Sequence, residues 1–191
     1  MNKIEVYKLD ELPIPEENMK YFACIGGSKN YECFYESTSL SRAEFMEKYA
    51  DKLDKCHIPI YEDDDIKITQ DAQIPIPGFY IIATKGIYKK LCYMDIELYK
   101  KCLNYVAKVR KLLKEEFNIE NAYMYYDEHY KKPSSTHLWV MPVYEDVVNK
   151  YNLDATILSK DIWTYQDIFE FQYTKDDIYR INDRMRELLN K

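Results

Sequence analysis

A serine, a histidine and an indole stand at alternate positions in Ser135-Thr136-His137-Leu138-Trp139-Val140-Met141-Pro142-Val143. An imidazole can serve as nucleophile, base or metal ligand near neutral pH. A hydroxyl beside it can donate a hydrogen bond, and an indole offers one N–H and a flat apolar surface. The run alternates with a period of two and is rich in β-branched and aromatic residues, which predicts a strand. Pro142 is expected to end it, because proline has no N–H to give a central ladder. Ser135, His137 and Trp139 then share one face, alternate residues standing roughly 7 Å apart. The same pattern also fits a hydrogen-bonded histidine on a half-buried strand with no chemical role. The elements that position this row decide between the two.

The chain has 191 residues, enough for one domain or one domain with an appendage. Its hydrophobic fraction of 47% includes 20 tyrosines, which fits a folded protein with many amphipathic contacts. A formal net charge of −6 argues against general binding to nucleic-acid backbones. No apolar run approaches the ~20 residues of a membrane span. The start, Met1-Asn2-Lys3-Ile4-Glu5-Val6, lacks a signal-peptide core. Five scattered cysteines without a Cys-x-x-Cys pair point to reduced thiols rather than a zinc framework. A cytoplasmic location is therefore expected.

Residues 1–18 read as a polar, proline-marked lead. Tyr21 to Ile25 and Tyr31 to Tyr35 flank Gly26-Gly27-Ser28-Lys29-Asn30, a hairpin signal. That glycine-rich turn lacks the spacing and the following helix of a phosphate loop. Ser41-x-x-Glu44 forms a capping box for a helix carrying Phe45, Tyr49 and Leu53 on one face. Ile58 to Tyr61 and Ile66 to Thr69 flank the acidic run Glu62-Asp63-Asp64-Asp65. That run lacks the alternation and glycine of a calcium loop and reads as a solvated turn. Asp71 closes the second of these strands. Pro75, Pro77 and Gly78 reset the chain into Phe79-Tyr80-Ile81-Ile82-Ala83, a central strand.

Asp95 caps a long helix reaching about Phe117, with Leu98, Cys102, Val106, Val109 and Leu113 as its buried stripe. Asn118 suits its end. Ala122 to Asp127 is a further strand, and Tyr130 to Ser134 is the loop leading to His137. Thr174 caps a final helix with Ile178, Ile181, Met185 and Leu188 inward. Antiparallel strands with few helices give an α+β fold. His57 has no metal partner at useful spacing. Asp127, Glu128, His129 and His137 are a weaker metal alternative. The aromatic stretch from Asp161 to Tyr173 reads as core packing, with a pocket cover or dimer contact as the other reading.

This order of elements resembles the histidine-triad (HIT) family. The resemblance rests on Ile60-Tyr61-Glu62-Asp63-Asp64-Asp65, then Asp71, then Pro75-Ile76-Pro77-Gly78-Phe79-Tyr80-Ile81-Ile82-Ala83, and on the long helix and the strand ending Val140-Met141-Pro142. It runs from about residue 20 to 145. The family motif His-x-His-x-His-x-x is here Ser135-x-His137-x-Trp139-x-x. The resemblance thus places His137 at the nucleophile position, Ser135 at the first histidine and Trp139 at the third. Phe79 stands where the family often has another histidine.

The resemblance also implies a HIT-like antiparallel β-sheet packed by a long helix and smaller helices. It divides the chain into a lead over 1–18, a HIT-like domain over 19–145 and a C-terminal extension over 146–191. Asp71 is matched to a ribose-binding aspartate, and Lys131 and Lys132 to polar groups around the phosphate. The implied activity is hydrolysis or nucleotidyl transfer on a small-molecule nucleotide through a covalent nucleotidyl-histidine. It needs neither metal nor cofactor, and a homodimer is the expected assembly. The missing first and third histidines keep a second reading open, a nucleotide-binding or protein-interaction module without catalysis.

Overall fold

Tyr80, Ile82 and Thr84 alternate with Ile81, Ala83 and Lys85, and the strand they build, β6 (Tyr80–Tyr88), is the middle of a five-stranded antiparallel sheet. The computed structural model describes residues 5–8, 21–24, 32–36, 47, 55–71, 76–88, 90–127, 134–144 and 175–191. The sheet order is β4 (Tyr61–Glu62), β5 (Ile66–Gln70), β6, β8 (Ser134–Val143) and β7 (Asn121–Asp127). The fold is α+β, as the order of elements implies.

The strand carrying His137 lies between β6 and β7. It pairs Ala83 with His137 and Ile81 with Trp139 on one side, and Tyr125 with Trp139 on the other. Pro142 does not end β8, contrary to the sequence expectation. It stays paired with Ala122 of β7, while the β6 ladder has already stopped at the Tyr80–Val140 pair. A proline is tolerated where no neighbouring carbonyl needs its missing N–H.

The entry to β6 is a tight turn. Phe79 N donates to Ile76 O at 3.0 Å across Pro77-Gly78, and Gly78 has φ 81°. Proline at the first central position and a positive φ at the second define a type II turn. A side chain at Gly78 would also meet Leu113 Cδ2 at 3.0 Å, so the residue is fixed by conformation and by close approach alike.

One face of the sheet is covered by α1 (Ile96–Phe117). Asp95 caps it, accepting from Glu97 N and Leu98 N, and Asn118 ends it in the left-handed region. Cys102, Val106, Val109 and Leu113 are buried against Ile66, Ile68, Tyr80, Ile82, Leu138 and Val140. Burial pushes the Cys102 thiol up to about 11, so it behaves as a small apolar residue. The second helix, α2 (Lys175–Leu189), buries Ile178, Ile181 and Met185, the last two in this same core. Asn182 accepts from the buried Tyr80 hydroxyl at 2.9 Å. Arg186 donates to Pro59 O and Ile58 O, both at 3.0 Å, and Asn190 donates to Ile60 O at 3.1 Å.

The acidic turn is not merely solvated. Asp63 accepts from Asp65 N and Ile66 N at 2.9 and 3.0 Å and from the Tyr61 hydroxyl at 2.8 Å. Lys101 of α1 bridges Asp63 and Asp65 at 2.9 and 2.6 Å. Burial opposes the Asp63 charge, but the bonds from Lys101, the two amides and Tyr61 outweigh it and hold the carboxyl well below the usual range. Tyr61 also packs on Tyr105 at 4.5 Å. The turn is thereby tied to the helix that backs the sheet.

The hairpin read from Tyr21 to Tyr35 is present as β2 (Tyr21–Cys24) against β3 (Glu32–Glu36). A third strand, β1 (Glu5–Lys8), pairs with β3 inside the segment read as a polar lead. Val6 and Tyr7 supply too short a pattern to be seen without that partner. The helix expected from Ser41 lies almost wholly outside the described residues, as do Thr174 and the aromatic stretch 161–173.

Candidate functional site

The face of the sheet away from α1 carries Ser135, His137, Trp139 and Met141, as the alternation of β8 requires. Ser135 and His137 are half-buried, and Ser135 Oγ lies 2.8 Å from His137 Nε2 in a hydrogen bond. Either atom can donate, depending on the ring tautomer. If Nε2 is unprotonated, Ser135 donates to it and Nδ1 carries the proton.

Trp139 forms the next step of the row. It is 7% exposed, and its ring meets that of His137 edge-on at 5.3 Å. Tyr125 of β7 stacks on it at 6.0 Å, and Phe79 meets Tyr125 edge-on at 6.3 Å. Ile76, Phe79, Trp139 and Met141 form a second buried cluster, flanked by Ile81, Tyr123, Tyr125 and Tyr144. His137 therefore sits at the border of an aromatic floor. Trp139 Nε1 is buried and has no hydrogen-bond partner among the described residues, an unsatisfied donor beside the imidazole.

Asp71 lies at the end of β5, 3% exposed. Its amide donates to Phe79 O at 2.8 Å. Burial pushes the Tyr125 hydroxyl above its ordinary range, and the Asp71 charge pushes it further. Asp71 is thus linked electrostatically to the floor under His137, although little of it reaches the surface. Lys131, Lys132, Glu128 and His129 lie outside the described residues. The geometry therefore brings together Ser135, His137 and Trp139, while Asp71 is buried at the end of β5. Among the described residues no group of three or more His, Cys, Asp or Glu side chains could hold a metal. No described helix is long and apolar enough to cross a membrane.

Two features were missed in the sequence. Tyr125 was placed on a strand but given no part in the site, and only its pairing with Trp139 reveals one. The apolar pattern of the sequence ends the central strand at Ala83, whereas β6 continues to Tyr88 through an irregularity between Ala83 and Ile87. The available signal was Gly86, since a glycine inside a strand pattern marks a bulge.

No protein-family model matches the chain, and no curated protein matches its sequence. Solved structures are similar. A HIT-like protein involved in cell-cycle regulation from Bartonella henselae, with an unknown ligand, is 17% identical over 73% of this chain and 93% of its own, with a TM-score of 0.45. A zinc-bound histidine triad family protein from Mycobacterium smegmatis is 14% identical over 77% and 94%, with a TM-score of 0.49. A HIT family protein from Bacillus anthracis str. 'Ames Ancestor' is 18% identical over 74% and 93%, with a TM-score of 0.44. The identities lie between 14% and 18% and the TM-scores between 0.44 and 0.49.

Proposed function

We propose that this protein binds a nucleotide against the His137 face and hydrolyses or transfers its nucleotidyl group through a covalent nucleotidyl-histidine. The observation that carries the reading is the 2.8 Å contact between Ser135 Oγ and His137 Nε2 at the edge of an aromatic floor. A hydroxyl donating to Nε2 leaves that nitrogen with a lone pair, which is the form a nucleophile needs. A substrate phosphoryl oxygen takes over the Ser135 hydrogen bond and frees Nε2. The nitrogen attacks the α-phosphorus, a P–N bond forms, and the bond to the leaving group breaks with its electron pair on the departing oxygen or nitrogen. Water or another acceptor then attacks phosphorus, and the P–N electron pair returns to the ring.

Aromatic surface suits a base, because stacking tolerates any base. Lys131 and Lys132 supply charge to the phosphoryl oxygens, and catalysis of this kind is mainly positioning and charge stabilisation. Asp71 is the candidate ribose contact, although it is 3% exposed. Trp139 cannot titrate, so the leaving group lacks the acid a third histidine would supply. Losing a positioned acid costs ~10²–10⁴-fold, and turnover is accordingly slow. The active species is a homodimer in a soluble compartment; light scattering that finds only monomer contradicts this part.

Trp139 also favours a second reading. An indole packed into the floor has no titratable group, which leaves a nucleotide-binding or protein-interaction module without catalysis. Intact mass after incubation with adenylated and guanylated compounds separates the two. A gain of one nucleotide in the wild type, absent in His137→Ala, is the expected result. No adduct and no turnover, with binding retained by thermal shift, would favour the non-catalytic module.

A further inference from the structure

The irregularity in β6 lies directly beside the Ser135–His137 pair. Ala83 pairs with His137 and Ile87 pairs with Ser135, so β6 uses four residues where β8 uses two. Thr84, Lys85 and Gly86 thus stand opposite the single residue Thr136. Such bulges disrupt the ladder and increase the local twist. Here one side chain repairs the disruption. The Thr136 amide donates to Thr84 Oγ1 at 2.9 Å, and the Thr84 hydroxyl donates to Gly86 O at 2.9 Å. Thr84 is 2% exposed, so water cannot readily replace it. On the other side of β6, Lys85 N donates to Asp65 O at 2.7 Å, and Lys85 Nζ bridges Glu62 at 2.9 Å. The bulge is therefore held from both flanks.

We propose that Thr84 is a positioning residue for the Ser135–His137 pair, acting through the Thr136 peptide. The proposal rests on the reading of His137 as the reacting group. Thr136 is the single residue between the two, and its amide is fixed by a hydroxyl rather than by the β6 carbonyl of a regular ladder. The orientation of that peptide plane sets the angle between the two flanking Cα–Cβ bonds. A Ser–His contact between alternate strand residues must span roughly 7 Å of backbone, so it is sensitive to the local twist. Removing the hydroxyl leaves a buried N–H and the Gly86 carbonyl without this partner. The peptide then tilts to find another acceptor, and Ser135 and His137 move with it.

The test uses the full ¹⁵N-labelled chain and reads the ring nitrogens of His137 by NMR, assigned with His137→Ala. Thr84→Val keeps the shape and removes the hydroxyl. Thr84→Ser keeps the hydroxyl, and Ser135→Ala breaks the pair directly. The expected result is that Thr84→Val and Ser135→Ala shift the His137 ring resonances and their pH titration in the same direction. Thr84→Ser should retain the wild-type values, and the other histidines should not move. If Thr84→Val does not fold, Thr84→Cys, with a weakly accepting sulfur, carries the same comparison. A folded hydroxyl-free variant with wild-type His137 resonances overturns the proposal. So does a loss of pattern in Thr84→Ser equal to that in Thr84→Val. The ring-nitrogen comparison needs no turnover, so failure to find a nucleotidyl adduct in the wild type would count against the proposed function alone.

Discussion

In the proposed reaction a single hydroxyl, that of Ser135, serves the resting and the reacting site in succession. It holds His137 Nε2 at 2.8 Å in the structure, and in the proposed reaction it turns to a phosphoryl oxygen. A hydrogen bond of this kind contributes about 1 kcal/mol net, and tenfold in rate corresponds to about 1.4 kcal/mol. Ser135→Ala is therefore expected to slow adduct formation about fivefold, measured by quenched intact-mass time courses, without abolishing it. Complete loss would instead give Ser135 a share in the bond-making step. The residue row itself was legible in the sequence, because Ser135, His137 and Trp139 fall on one parity of an unbroken β pattern. What they touch was not legible. Tyr125 is neighbour to Trp139 only through strand pairing, and Asp71 is buried only in the fold, where its amide meets Phe79 O.

The elements behind the row differ in how much local chemistry defines them. The α1 helix was legible from end to end, because the Asp95 cap, the spacing of the buried stripe and the Asn118 end are each local patterns in the chain. The β6 strand was read too short, since its bulge is stabilised by Thr136, 52 residues away in sequence. The link between the acidic turn and α1 was hidden for the same reason, as Asp63 meets Lys101 only in the fold. That link makes a pH prediction. The folded Asp63 carboxyl lies below its unfolded value, so the folded state favours the charged form. Its contribution is whole above the ordinary value of about 3.9 and is lost as pH falls toward the folded value. Asp63→Asn should lower stability at pH 7, and urea melts should show the gap to the wild type closing below about pH 4. A gap independent of pH would mean that the carboxylate charge is not what ties the turn.

Across the whole molecule, the C-terminal helix is joined to the sheet by more than apolar burial. Arg186 reaches the carbonyls of Ile58 and Pro59, which lead directly into Ile60 and β4. Hydrogen bonds from charged groups contribute about 1.5–3 kcal/mol. Arg186→Ala is expected to cost roughly 2 kcal/mol in denaturant unfolding while leaving the far-ultraviolet spectrum unchanged. Removing residues 175–191 altogether should do far more. It takes Ile181 and Met185 out of the shared core and leaves the Tyr80 hydroxyl without Asn182. That shortened chain is expected to lose its cooperative thermal transition by circular dichroism; a sharp transition near the wild-type temperature would show that the helix is an accessory. From sequence the segment looked like an extension beyond a domain ending near residue 145, because nothing local announces that Ile181 and Met185 complete a core begun at Ile60.

The bulge in β6 carries one further consequence, which concerns parity. Side chains on a strand alternate, so one inserted residue exchanges the two faces of everything beyond it. Here β6 gains two residues relative to β8 between the Ala83–His137 and Ile87–Ser135 pairs. An even insertion restores the original phase, and Ile87 returns to the side that Ala83 occupies. The chain can therefore twist sharply at His137 while keeping one face for α1 and the other for the imidazole row. A one-residue change in this segment inverts the two faces wherever it slips the register rather than being taken up in the bulge, whereas a two-residue change keeps the phase.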